Sequence, residues 1–454
     1  MAGIGFELDN ILRRDTYSSL VHAYAYAIVI SSGPWLFSIA GIFIITLVSK
    51  IPGADNFWFV QFRTLVVYLI SISLVTSSVM QYAFSRFIAD RFYEKKLEVV
   101  RPNYNGACLV IIIFSSIIAL LFVYEFLPGV SLFTKIYTFL SLVSLSCVWL
   151  ATISLSGLRA YKQVSISFLI DYVFMAFICY LLRDFLLNGL MLGFLLGQIL
   201  LFAMLSYTIY TQYHSTEKLD FSFTKHTEPM IWLVLAGLFY NMAIWADKYL
   251  FWYTSPSKIN VIGHLNASLI YDTPVFLATL TSVFSMAFFF LHLETTYMDH
   301  YKRLFQKVSG GGTLSEIYHS HNMLVSTSRY IIISVLKIQG VLLLMGIFLG
   351  YAFLLYLKID PYYICILNVL VLALTLNVVY WATIDLLFHL DKYKTTCCLH
   401  GLFLVSNIVF TDISIRLNIF YYGYGLAASL FVSSLTALIC LHFAYKNLEY
   451  NTFV

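Results

Sequence analysis

Run after run of about 20 residues passes through this chain with hardly a charge in it. A bilayer core takes about 20 apolar residues per helix. Twelve such runs can be marked out, at roughly 20–48, 62–86, 106–128, 136–156, 164–184, 188–211, 230–253, 268–292, 330–357, 361–388, 395–414 and 422–444. In lipid, backbone polar groups must be satisfied within the segment, so spans of this kind are helices. The expected fold is an all-α polytopic membrane protein of about twelve transmembrane helices. Composition agrees: 60% of the 454 residues are apolar and 11% charged, against about 45–50% and about 25% in soluble domains. That excludes a soluble enzyme, a nucleic-acid binder and a disordered scaffold. The seven cysteines are odd in number and sit mostly in apolar runs, so they read as small core residues, not a disulfide frame. The opening MAGIGFELDNILRRD has acidic residues and no short apolar core before a cleavage site, so no signal peptide is expected.

Lys and Arg set the orientation. With both termini cytoplasmic, the cytoplasmic segments hold 18 of the basic residues and the outer segments 7. Both ends are therefore expected in the cytoplasm. Residues 213–229 form a polar linker near the midpoint, and residues 293–328 the longest loop, with Gly310, Gly311 and Gly312 inside it. The segment before those glycines, and residues 4–19 at the N-terminus, read as amphipathic helices on the membrane surface.

WLATISLSGLRAYK (149–162) and WATIDLLFHLDKYK (381–394) align at an offset of 232, with Trp149/Trp381, Leu155/Leu387, Leu158/Leu390, Tyr161/Tyr393 and Lys162/Lys394 matching. They end spans four and ten. A repeat of six spans gives two parallel lobes, residues 1–212 and 230–454, joined by the linker. Two six-helix lobes suit alternating access around a central cavity, and so transport over catalysis.

Charges inside spans are costly and mark paths or partners. The acids are Glu125, Asp171, Asp247, Asp272, Asp385 and Asp412; the bases are Lys248 and Lys337, with Arg63 and Arg416 near span ends. Asp412 and Arg416 are i,i+4 neighbours and should pair. Asp171 and Lys337 lie well inside and are path candidates. Span seven is the densest: in FYNMAIWADKYLFW (239–252), Asn241, Trp245, Lys248 and Trp252 share one helical stripe. An amide, two indoles and an ammonium suit a sugar, since indole faces stack on pyranose rings. The plainer reading is an aromatic belt with a Lys reaching for the interface. Asp247 points away from the stripe, toward Asp272 or another partner. Gly33-Pro34 in span one and Pro274 in span eight break the helical ladder and are hinge candidates, or static kinks. Cys397-Cys398-x-His400 lacks the second half of a metal site. No Walker A, G-x-S-x-G, H-E-x-x-H or dinucleotide fingerprint occurs, and no cofactor or metal is expected.

MAGIGFEL (1–8), AYAYAIVISSGPW (23–35), SRFIADRFYE (85–94), NMAIWADKYLFW (241–252) and YDTPVFLATL with ETTY (271–297) together resemble the PelG family. These are the membrane transporters of Pel exopolysaccharide systems, in the multidrug/oligosaccharidyl-lipid/polysaccharide (MOP) flippase superfamily, whose fold is MATE-like. The resemblance covers essentially the whole chain. It implies export of a hexosamine-rich, partly deacetylated polymer across the inner membrane, in support of a biofilm matrix. It also implies three partners: PelD, PelE and the cytosolic glycosyltransferase PelF. Drug exporters of the superfamily often carry a coupling carboxylate on span one, and span one here has none. The competing expectations are an ion-coupled small-molecule antiporter, with Asp171 as its coupling carboxylate, and a membrane enzyme. The short outer loops are poor in catalytic groups, His264 being the only outer His of note, so a non-enzyme is expected.

Overall fold

The computed structural model describes residues 16–49, 57–158, 160–224, 227–356, 360 and 363–448. The amphipathic segment expected at 4–19 lies, up to residue 15, outside the described residues. Eleven helices among the described residues are long and apolar enough to cross a membrane, and a twelfth if the bent first helix counts as one span. In chain order they are α1 (Tyr17–Val48), α2 (Phe57–Tyr93), α3 (Val100–Phe126), α4 (Leu132–Gly157), α5 (Tyr161–Leu181), α6 (Leu186–Gln212) and α7 (Thr227–Tyr253). After a hairpin, β1 (Ile259–Ile262) and β2 (Leu265–Ala267), come α8 (Leu269–His292), the short surface helix α9 (Met298–Ser309), α10 (Leu314–Tyr356), α11 (Ile364–His389), α12 (Tyr393–Leu417) and α13 (Tyr424–Lys446).

Two local features depart from expectation. Residues 293–328 are mostly helical, not a loop. A π-helical stretch, Leu293–Tyr297, runs from α8 into α9. After the glycine turn, with Gly311 at φ +71°, α10 starts at Leu314, well before residue 330. A reciprocal cap starts it: Thr313 N–H donates to the Glu316 carboxylate (2.9 Å) and Glu316 N–H to the Thr313 hydroxyl (3.4 Å). Ile317, Leu324 and Ile331, seven apart, then bury one face. The second departure is the antiparallel β1–β2 hairpin in the loop before α8, pairing Ile259 with Ala267 and Ile262 with Leu265 around Gly263 at φ +56°.

Close packing gathers the chain into two compact units, Gly33–Ser268 and Met1–Ser32 with Leu269–Val454. α7 thus groups with α2–α6, and α1 contributes to both units. α1 bends by 68° between Tyr17–Pro34 and Leu36–Thr46. Pro34 has no N–H to give the preceding turn, and its carbonyl accepts the Ser38 hydroxyl at 2.8 Å.

Within each unit the same packing scheme recurs. In one, α4 lies against α2, α3 and α6, α2 against α3, and α5 against α6. In the other, α11 lies against α8, α10 and α13, α8 against α10, and α12 against α13. The backbone repeats as well. α4 closes with Leu158 N–H to Ser154 O and Ala160 N–H to Leu155 O; α11 closes with Leu390 N–H to Leu386 O and Lys392 N–H to Leu387 O. Each donor and acceptor is displaced by 232, and α5 and α12 then begin at Tyr161 and Tyr393, the same offset again. The matched sequence segments therefore build matched helix ends. The two tryptophans do matching work: Trp149 donates its indole N–H to Ser73 of α2 (3.0 Å), and Trp381 packs edge-on against Phe289 of α8 (5.2 Å).

The midpoint linker is strapped down over its described part. Asn103 of α3 donates to the Asp220 carboxylate (3.0 Å) and accepts from Phe223 N–H (3.0 Å). Asn105 donates to Lys218 O (2.7 Å), and Phe223 is buried against Phe84 and Phe87. Burial works against the Asp220 carboxylate, but hydrogen bonds from Ser222, Asn103 and the Phe221 amide outweigh it and hold its pKa below the ordinary value.

Candidate functional site

The polar groups of α2 and α7 meet along one seam. Small residues let the helices approach: a Cβ on Gly237 would stand 2.6 Å from the Ser78 carbonyl, which is backbone and cannot give way. Above it, Asn241 donates to Gln81 (3.3 Å) and to Gly237 O (3.1 Å), and Gln81 donates to Ser77 (3.1 Å). Further along, the Tyr249 hydroxyl meets Ser71 (2.8 Å), and Tyr68 donates to Asn266 O (2.9 Å) with its hydroxyl 3.2 Å from that of Tyr253. Trp252 is buried among rings, 4.5 Å from Tyr68 and 5.0 Å from Tyr249. Gly237→Val should therefore destabilise the fold by about 1–3 kcal/mol, the range for overpacking, read as a lowered thermal midpoint of the purified protein.

The expected stripe on α7 divides into two kinds of residue. Asn241 and Trp252 are consumed by the seam. Trp245 and Lys248 stay part-exposed, with the ammonium 5.8 Å from the indole centroid. That ammonium is fully engaged: it donates to both carboxylate oxygens of Asp247 (3.1 Å each) and to Ile244 O (2.9 Å). An ammonium has three protons, so Lys248 has none left for a ligand in this state. Asp247, expected to meet Asp272 or another partner, is fully buried and pairs with its neighbour Lys248.

Asp171 presents a different situation. It is fully buried on α5, and neither carboxylate oxygen has a hydrogen-bond partner among the described residues. It faces α6 where Gly189, Gly193 and Gly197 follow at intervals of four; a Cβ on Gly197 would lie 3.2 Å from Asp171 Oδ1. This glycine ladder brings α5 and α6 together and leaves the carboxylate no side chain to bond. Gln198, the next residue on α6, is also fully buried. Tyr172, beside Asp171, fills the space at Gly41 of α1.

The other expected residues scatter. Lys337 is exposed on α10, and Asp272 part-buried in the first turn of α8. Asp412 pairs with Arg416 at 2.8 Å, as their spacing implies, and Asp385 lies 3.9 Å from His389. Gly33 and Pro274 are buried within helices. His400 lies against Tyr380, ring nitrogen to hydroxyl 2.8 Å. Among the described residues no group of three or more His, Cys, Asp or Glu is placed to hold a metal. Ser71, Tyr68, Gln81 and Tyr249 were not singled out in the sequence, although the Ser/Thr-rich run 71–78 marks α2 as unusually polar.

These features define a polytopic α-helical membrane protein, and its fold is like that of MOP superfamily transporters. An outward-facing multidrug MATE transporter of that superfamily aligns with a TM-score of 0.65 at 12% identity, covering 93% of this chain and 96% of its own. An inward-facing form aligns at 0.60 and 12%, covering 93% and 99%. A MOP superfamily transporter from Pyrococcus furiosus aligns at 0.61 and 12%, covering 93% and 95%. At such identities the likeness is one of fold. Comparison with curated proteins gives no match. The model of the PelG family, exopolysaccharide exporters (EPS-E), matches residues 1–453, and the chain belongs to that family.

Proposed function

We propose that this exporter carries the Pel polymer, a hexosamine-rich and partly deacetylated exopolysaccharide, across the bacterial inner membrane for the biofilm matrix. It works with the cytosolic glycosyltransferase PelF and the membrane partners PelD and PelE, and elongation by PelF pushes the chain outward. Both termini face the cytoplasm, as the Lys/Arg asymmetry requires. The observation that carries the reading is the family match along the whole chain. On the molecule, Trp245 offers a part-exposed indole beside a neutralised ion pair, a surface suited to a pyranose face. Gly33 and Pro34 at the bend of α1, with Pro274 of α8, are the hinges. Asp171, Lys337 and Asp272 are further path residues.

The test is clean deletion and complementation in the native host, with secreted and intracellular hexosamine polymer quantified separately. Loss outside, with synthesis stalled or product trapped inside, is expected; unchanged output overturns the reading. Trp245→Ala should cut export several-fold at normal protein level, and normal export from it would remove α7 from the path.

A second reading, an ion-coupled small-molecule antiporter, is favoured by one observation: the buried, unpartnered carboxylate of Asp171. It predicts altered tolerance to cationic dyes with unchanged polymer.

A further inference from the structure

A cleft of about 570 Å³ opens between α2, α3 and α7, entirely within the Gly33–Ser268 unit. Tyr68 and Ile72 of α2 and Tyr249 of α7 line it, with Ile118, Phe122 and Glu125 among the residues from α3. The two tyrosines contribute rings only. Their hydroxyls are taken by the seam, Tyr68 by Asn266 and Tyr253, and Tyr249 by Ser71. A sugar in this cleft would lose its water and find almost no replacement hydrogen bonds, at a cost of about 1–3 kcal/mol per hydroxyl. An alkyl chain meets no such penalty.

The open side belongs to the outer face of α3, where Ile117, Leu120, Leu121 and Tyr124 are all exposed. In a spanning helix that face meets acyl chains. At the end of α3 stands the one charge of the cleft, Glu125. Its side chain is exposed, and among the described residues it has no cationic partner. Its carbonyl accepts the His264 ring nitrogen at 2.9 Å, and His264 N–H donates to Phe126 O at 2.8 Å, so the hairpin pins this corner of the helix.

An apolar slot open to lipid, with a lone carboxylate at its end, is complementary to an amphiphile with an alkyl chain and an ammonium head. We propose that the cleft seats one phospholipid of the phosphatidylethanolamine class, its acyl chain against Tyr68, Phe122 and Tyr249 and its ammonium at Glu125. A headgroup with net negative charge and no amine meets like charge there. Because α2 and α7 both line the slot, the bound lipid backs the seam and steadies α7 against α2.

The test uses the full-length purified protein in nanodiscs of phosphatidylcholine doped with phosphatidylethanolamine or with phosphatidylglycerol. Lipid retention is read by native mass spectrometry and stability by thermal midpoint. The wild type should retain one ethanolamine lipid through delipidation and gain several degrees from it, with no gain from phosphatidylglycerol. Glu125→Gln should lose the preference by about tenfold, one charge-assisted contact's worth, while folding normally because the side chain is exposed. Ile118→Trp, which fills the slot, should retain neither lipid. Equal retention of both lipids by the wild type overturns the proposal. So does an undiminished preference in Glu125→Gln, or displacement of the lipid by a chitosan oligosaccharide.

Discussion

Lys248→Ala should unfold more easily than the wild type by about 3–5 kcal/mol, the range for removing one partner of a buried ion pair. Its cellular amount should fall with it. The reason is the state of Asp247, which is fully buried and bound by the ammonium through both oxygens at 3.1 Å. Without that cation the carboxylate keeps its desolvation cost and loses the neutralising charge. Export should fall with the protein amount, as a folding defect. The double change Asp247→Asn with Lys248→Gln removes both charges together and should recover most of the thermal midpoint. Export by the double variant, normalised to protein amount, should return toward the wild type. A Lys248→Ala protein with an unchanged midpoint and abolished export would give the opposite result: the ammonium would then be binding cargo.

Why the stripe on α7 reads differently in three dimensions is instructive. Helical spacing places Asn241, Trp245, Lys248 and Trp252 on one face, and adjacent residues such as Asp247 and Lys248 on diverging ones. Spacing does not register that a Lys side chain is long enough to fold back, reaching Ile244 O one turn earlier and the neighbouring carboxylate together. Nor does it show which polar residues on α2 stand opposite, since that depends on where Gly237 lets the helices touch. The spans themselves were legible because run length against bilayer thickness is a one-dimensional criterion. The repeat was legible because 149–162 and 381–394 build the same turn, with Leu155/Leu387 and Leu158/Leu390 at matching positions in its closing backbone hydrogen bonds. The N-terminal extension of α10 was obscured by its histidines and serines, which resemble a loop, although Thr313-x-x-Glu316 is a helix-start signature. The hairpin at 259–267 is too short for any period to emerge. Asp171 stood out as an intramembrane acid, but its isolation did not, because that depends on a glycine ladder eighteen to twenty-six residues further on facing it.

That isolation makes Asp171→Asn the most discriminating substitution in the Gly33–Ser268 unit. A buried carboxylate with no hydrogen-bond partner is a standing cost to the fold. Replacing it with the isosteric amide removes the charge without changing the volume, so the thermal midpoint should stay level or rise, by about 1–2 kcal/mol in stability. Export should fall at least tenfold at equal protein amount, because a group that costs stability and contacts no partner is retained for what it binds during turnover, a proton or a cation. A stabilised, inactive protein is an outcome that a purely structural residue does not produce. A drop in midpoint would instead show that Asp171 holds the fold, and undiminished export would remove it from the transport cycle. The same variant separates the two functional readings. If polymer export falls and tolerance to cationic dyes is unchanged, the carboxylate serves the polysaccharide path; if dye efflux is lost while polymer is secreted normally, the chain is an antiporter and Asp171 its coupling group. Collapsing the proton gradient in the wild type then identifies the ion, since export that continues at full rate leaves elongation by the synthase as the force moving the chain.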